Sequence, residues 1–190
     1  MKDSYQMKGT KNRVIKKLNS TLGMSLGEIL VVVLILSLLT ASLTTVMSLA
    51  VEQYNESMRA SEANVLSSTL RSVISNELAY TTEIHTDASG NVNSFQSQNY
   101  TTESSLSTFI VSSADSGGFG KLLIGTDSSN MKLLGDGSYP RNLGAKIDSF
   151  TYDSSACCFT IKLSIGCKSN TYLEQTFQVL NVNKTTAKTS

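Results

Sequence analysis

Residues 22–51 read LGMSLGEILVVVLILSLLTASLTTVMSLAV. From Ile29 to Val51 no residue is charged, a run of 23. As a helix rising ~1.5 Å per residue it covers roughly 35 Å, enough to cross a hydrocarbon core of about 30 Å. The run is longer than the apolar part of a secretory signal, and no Ala-x-Ala site follows it. Soluble core helices rarely sustain so long an uncharged stretch. One acid, Glu28, stands at its very start. A carboxylate at membrane depth is expensive and marks a functional candidate, while the alternative is a headgroup-level Glu favoured by the positive end of the helix dipole.

Working outward, residues 1–23 carry Lys2, Lys8, Lys11, Arg13, Lys16 and Lys17 against Asp3, a net charge of +5. The whole chain of 190 residues sums to +1, so the remainder is mildly acidic, about −4. A basic flank before an apolar run is retained in the cytoplasm, because Lys and Arg resist translocation. It does not read as a nucleic-acid patch, since Tyr5 is the one aromatic residue among the charges.

Gly23-Met24-Ser25-Leu26, then Glu28, then the unbroken apolar stretch Ile29–Ser42, resembles the signature of type IV prepilins and pseudopilins. Three positions depart from the usual pattern. Met24 stands where Phe is commoner, Gly27 where Leu, Ile, Val or Pro is usual, and Leu22 where a polar residue is commoner. The resemblance implies cleavage by prepilin peptidase between Gly23 and Met24 and N-methylation of Met24. It also implies a role for Glu28 in subunit assembly, through pairing with the new α-amine. Gly23 suits a protease that must reach an extended peptide bond, having no side chain and wide backbone freedom. The implied partners are the peptidase, other pilin subunits, the assembly platform and membrane lipid. The implied topology is a single pass, with the N-terminus cytoplasmic and the head extracytoplasmic, in a filament at the cell surface.

The helix is expected to run past the membrane. Glu52–Tyr80 contains no Gly or Pro, and Met24–Tyr80 would form one helix of roughly 85 Å. At 100° per residue, Tyr54, Met58, Val65, Thr69, Val73 and Tyr80 share a side, flanked by Leu66, Leu70 and Ile74. Gln53, Ser57, Ser61, Asn64, Ser68, Arg71 and Ser75 lie opposite. Residues 81–120 read as a polar connector, with Ser105–Val111 a short strand or a helical turn. Strands are expected at Lys121–Gly125, Met131–Leu134, Lys146–Tyr152, Cys158–Gly166 and Tyr172–Asn181. Short connections favour antiparallel pairing. The expected fold is therefore α+β: a long N-terminal helix packed on an antiparallel sheet, as in pilins. Its parts are a leader at 1–23, an apolar helix at 24–51, an amphipathic continuation at 52–80 and a head at 81–190.

Phe159, Ile161, Leu163 and Ile165 alternate with Thr160, Lys162 and Ser164, so the odd-numbered face should be buried. Cys157 and Cys167 share that parity, but a strand of this length holds them roughly 30 Å apart, beyond bridging distance. Cys157–Cys158 is a vicinal pair, and three cysteines is an odd number. A pairing of Cys157 or Cys158 with Cys167 would need Cys167 in a turn.

Gly117-Gly-Phe-Gly-Lys121 lacks a Gly at position 115 and a Ser or Thr after the Lys, so it is not a phosphate loop. Asp127, Asp136, Asp148 and Asp153 are scattered among turns, without the close spacing of a calcium loop. His85 is the lone histidine, which argues against zinc and against nucleophilic catalysis. No enzyme activity, cofactor or nucleic-acid partner is expected. Two other readings stand beside the filament subunit. One is a competence-type or adhesive tip pilin whose head binds DNA or a surface. The other is an ordinary signal-anchored surface protein.

Overall fold

The computed structural model describes residues 26–96, 106–126 and 129–189. The chain divides into two compact units, Met1–Glu52 and Gln53–Ser190. One helix, α1, runs through Leu26–Ala79, 54 residues without Pro and with Gly27 alone in its first turn. Among the described residues nine strands follow: β1 Ile84–Thr86, β2 Val92–Phe95, β3 Thr108–Ser112, β4 Lys121–Thr126, β5 Ser129–Lys132, β6 Gly144–Asp153, β7 Cys158–Cys167, β8 Asn170–Leu180 and β9 Lys188–Thr189. They form three sheets of three strands, in the orders β2-β1-β9, β3-β4-β5 and β6-β7-β8. All pairings are antiparallel apart from β1 with β9. This is the α+β class expected.

The second unit is built around β7. Phe159, Ile161, Leu163 and Ile165 are fully buried, and Lys162 on the alternate face reaches Glu174 at 2.9 Å. The expected register of this strand holds. Its neighbours β6 and β8 complete the sheet, and α1 packs on the odd-numbered face through Ala63, Leu66, Leu70, Ile74 and Leu78. At 25 cal/mol per Å2 of apolar surface, each such side chain contributes about 1.5–3 kcal/mol when fully buried.

The helix face differs from the expectation. Val65 is 64% exposed, and Tyr54, Thr69 and Tyr80 are exposed as well. Two apolar stripes run along this stretch, about 100° apart at Val65 and Leu66. The sheet selects the one with the small Ala63 and the polar Ser67, whose hydroxyl donates to Gln175 Oε1 at 2.7 Å. A polar residue on the buried stripe hides it from a reading of hydropathy alone.

The stretch 81–120 is also more than a connector. It holds β1, β2 and β3, which bury Ile84, Val92 and Phe95. These strands are too short for alternation to be legible. They are held by an aromatic cluster in which Phe95 stands 5.1 Å from Phe109 and 5.8 Å from Phe150, and Phe150 stacks on Phe159 at 5.7 Å. In β6 a bulge between Ile147 and Ser149 adds Asp148 as an extra residue. It switches the strand's parity, so that Ala145 and Ile147 before it and Phe150 and Tyr152 after it all pair with the buried side of β7. The hairpin strand expected at Met131–Leu134 lies two residues earlier, at Ser129–Lys132, with Leu133 buried just beyond it.

Candidate functional site

The residues that carry the prepilin resemblance lie around the start of α1. Gly23, Met24 and Ser25, with the basic leader, are outside the described residues. Glu28 is in the first turn of α1, where the unsatisfied N–H groups and the helix dipole favour negative charge. Every residue from Leu26 to Val51 is exposed in the monomer, including Ile29, Leu30, Leu38, Leu39 and Leu43. Among the described residues this is the one helix long and apolar enough to cross a membrane.

Polar atoms within the stretch are satisfied locally. The hydroxyls of Ser37, Thr40, Ser42, Thr44, Thr45 and Ser48 donate to carbonyls three or four residues back, at 2.6–3.1 Å. A hydroxyl left without a partner in an apolar medium costs several kcal/mol. Closing each one onto its own helix removes that cost, so the Ser and Thr content between Ser37 and Ser48 is compatible with lipid or with neighbouring apolar helices.

The head contains the other residues singled out from the sequence. His85 is in β1, with Nε2 2.9 Å from Glu83 Oε1. Lys188 Nζ approaches the same oxygen at 2.6 Å. Lys188 and then His85 hold the Glu83 carboxyl below its ordinary range. The cluster ties β9 to β1, a structural duty.

The Gly117–Lys121 loop turns its N–H groups inward. Asp115 accepts from the backbone N–H of Gly117 at 2.9 Å and of Phe119 at 3.0 Å, and also from Lys168. These bonds, Lys168 first, depress the Asp115 pKa. The donors that a phosphate would need are already used. A Cβ at Gly117 would stand 1.4 Å from the Lys168 carbonyl oxygen, so the glycine serves close packing.

No family model, curated protein or solved structure matches the chain. The functional reading therefore rests on its own residues.

Asp136 bridges Lys121 Nζ at 2.7 Å and Lys132 Nζ at 2.6 Å, and these two ammonium groups lower its pKa to about 2. Asp148 bonds the Ser164 hydroxyl and pairs with Lys146 at 3.4 Å. Asp153 accepts the N–H of Ser155 at 2.8 Å in the β6–β7 turn. Asp127 is outside the described residues. Among the described residues no three His, Cys, Asp or Glu side chains gather to hold a metal. The cysteines are free thiols, with Cys157 and Cys158 at one end of β7 and Cys167 at the other. Cys157 takes a left-handed backbone, φ 50°, that closes the turn into β7.

Proposed function

We infer that this chain is a prepilin-type filament subunit, a minor pilin or pseudopilin of a type IV pilus or type II secretion-like machine. In this reading residues 1–23 remain cytoplasmic until prepilin peptidase cuts the Gly23–Met24 bond. The apolar half of α1 holds the subunit in the membrane as a single pass, with the head outside. The assembly platform then draws the subunit into a filament, where that half packs against its equivalents.

One observation carries the reading. From Ile29 to Val51 the helix has no charge, exposes every side chain and bonds its hydroxyls to itself, while the one acid, Glu28, sits in the first turn. A simple anchor requires only the apolar length. The combination with Gly23-Met24-Ser25-Leu26 and a +5 leader is what a peptidase substrate and an amine-pairing assembly residue require. In a filament core the Met24 amine and a Glu28 carboxylate would neutralise each other, and an unpaired charge there is strongly destabilising.

Mass spectrometry of the membrane-extracted protein tests this. The expected N-terminus is a methylated Met24, and Gly23→Trp should leave the uncut precursor in the membrane. An intact leader on the mature protein, or a start beyond Ser42, would refute the reading.

A further inference from the structure

The sheet β6-β7-β8 has two edges, and among the described residues only that of β6 is met by other backbone. The outer side of β6 is met by isolated bridges, Asn91 with Thr151 and Gly120 with Ala145. Among the described residues β8 pairs with β7 alone. It is 11 residues long, and its ladder is regular from Leu173 to Leu180, the one irregularity leaving Tyr172 as an extra residue. Every second residue of such a strand turns an N–H and a C=O outward. Natural edges are usually blunted by Lys, Pro or a central bulge. β8 contains no Lys, Arg, Pro or Gly, and its single charge, Glu174, is taken up by Lys162 of β7.

A row of cations borders this edge on the helix side. The Arg59 guanidinium lies 5.9 Å from the Tyr172 ring centroid, and its Nη1 donates to the Tyr172 hydroxyl at 2.8 Å. The Arg71 guanidinium lies 5.6 Å from the Phe177 ring. Neither forms an ion pair with a carboxylate among the described residues. With Ser67 on Gln175 between them, the contacts advance in the same direction along both elements, so α1 runs parallel to β8. Beside the start of β8 an open cleft of about 660 Å3, lined by Gln53, Glu56, Ser57, Ala60, Asn170 and Thr171, leaves room for an incoming chain. Glu56 is its one acid, and it also acts on Arg59, after Tyr172.

We propose that β8 is a docking edge for an extended acidic segment of a partner protein, which adds as a fourth strand and sets carboxylates against Arg59 and Arg71. Backbone pairing supplies the adhesion, and side-chain pairing supplies the choice of partner. The two guanidiniums sit at the levels of Tyr172 and Phe177. Tyr172 is itself the extra residue beside Leu173, and Leu173 and Phe177 are four residues apart on one face of the regular ladder, so the matching carboxylates stand four residues apart on one face. A second copy of β8 does not fit. A two-fold β8 ribbon would bring one Arg59–Arg71 row alongside the other, where like charges repel. The proposal goes beyond the filament reading and does not depend on it.

The test uses the full chain, isotope-labelled in detergent micelles, with the peptide Thr-Glu-Thr-Val-Thr-Glu-Thr and its counterpart bearing Lys in place of both Glu. The acidic peptide should slow hydrogen exchange of alternate β8 amides and bind about tenfold more tightly than the basic one, with affinity falling as salt rises. Arg59→Ala and Arg71→Ala should each lower that affinity about fivefold or more, while unliganded helix content stays unchanged. Equal protection by both peptides, protection away from β8, no protection by either, or an Arg71→Ala variant that binds as well as the parent would each overturn the proposal.

Discussion

Ser67 on the buried stripe of α1 donates its hydroxyl to Gln175 Oε1 on β8 at 2.7 Å. Ser67 is 1% exposed and Gln175 is half-buried, so the bond joins helix to sheet largely sheltered from water. Ser67→Ala should remove the donor and leave the amide oxygen of Gln175 short of a partner, costing about 1–3 kcal/mol. Urea unfolding of the parent and variant, at equal slope, reads the difference. No change in the midpoint would mean that the bond contributes nothing net.

Ile161 and Lys162 are adjacent in β7 and lie on opposite faces. Ile161→Ala should destabilise the head by about 2–5 kcal/mol through lost burial and a residual cavity. Ile161→Lys should unfold it, since an unpaired charge would replace a fully buried side chain. Lys162→Glu should leave protease resistance nearly unchanged, because Lys162 is a surface partner of Glu174. Limited proteolysis of the three variants separates these outcomes, and sensitivity at position 162 would contradict the register.

The Asp136 carboxyl has its pKa lowered to about 2 by Lys121 and then Lys132. The folded pKa is below the ordinary carboxylate value of about 3.9, so the interaction is fully present above pH ~4. It should be lost as pH falls through about 2. A carboxyl-carbon NMR titration should place the midpoint near the folded value, and Lys121→Ala should raise it. A midpoint in the ordinary range for the parent would show that the two lysines do not hold the carboxylate in solution.

Gly117 stands against the Lys168 carbonyl so closely that any Cβ collides with backbone. Gly117→Ala should therefore cost about 1–3 kcal/mol by overpacking, read as a lower thermal midpoint. The loop would also loosen its bonds to Asp115, which should bring that carboxyl's depressed pKa back toward normal.

Glu28→Val should be processed and inserted normally but enter filaments poorly, about tenfold below the parent in sheared fractions, because the Met24 amine would be left without its partner. Normal incorporation would count against the amine-pairing role and leave the cleavage reading intact.

The long helix, the α+β class and the register of β7 were legible because each rests on a local and periodic signal. An uncharged run of 23 residues admits few conformations in lipid other than a helix. The alternation from Phe159 to Ile165 admits one inward face. Of the short strands in 81–120, β3 was one of the two readings of Ser105–Val111. The strands β1 and β2 were not legible, since three or four residues hold too few periods, and the burial of Phe95 depends on Phe109 of β3 and Phe150 of β6. The parity switch in β6 was hidden for a related reason: whether Asp148 is an extra residue depends on its partner strand.

By itself, then, the amino-acid order determined where apolar mass accumulates: the membrane-length half of α1, the apolar stripes beyond it, and the inward side of β7. Only the tertiary structure decided which stripe of α1 faces the sheet. Leu66 and Val65 are equally apolar to a hydropathy reading, yet Leu66 is buried and Val65 is in solvent. The reason is that burial follows contact geometry: the sheet accepts the side on which Ala63 permits close approach and Ser67 finds Gln175. The tertiary structure also decided that β8, among the described residues, pairs with β7 alone and lies beside Arg59 and Arg71. Strand order in a sheet is a relation among distant segments, and no single stretch of sequence records it.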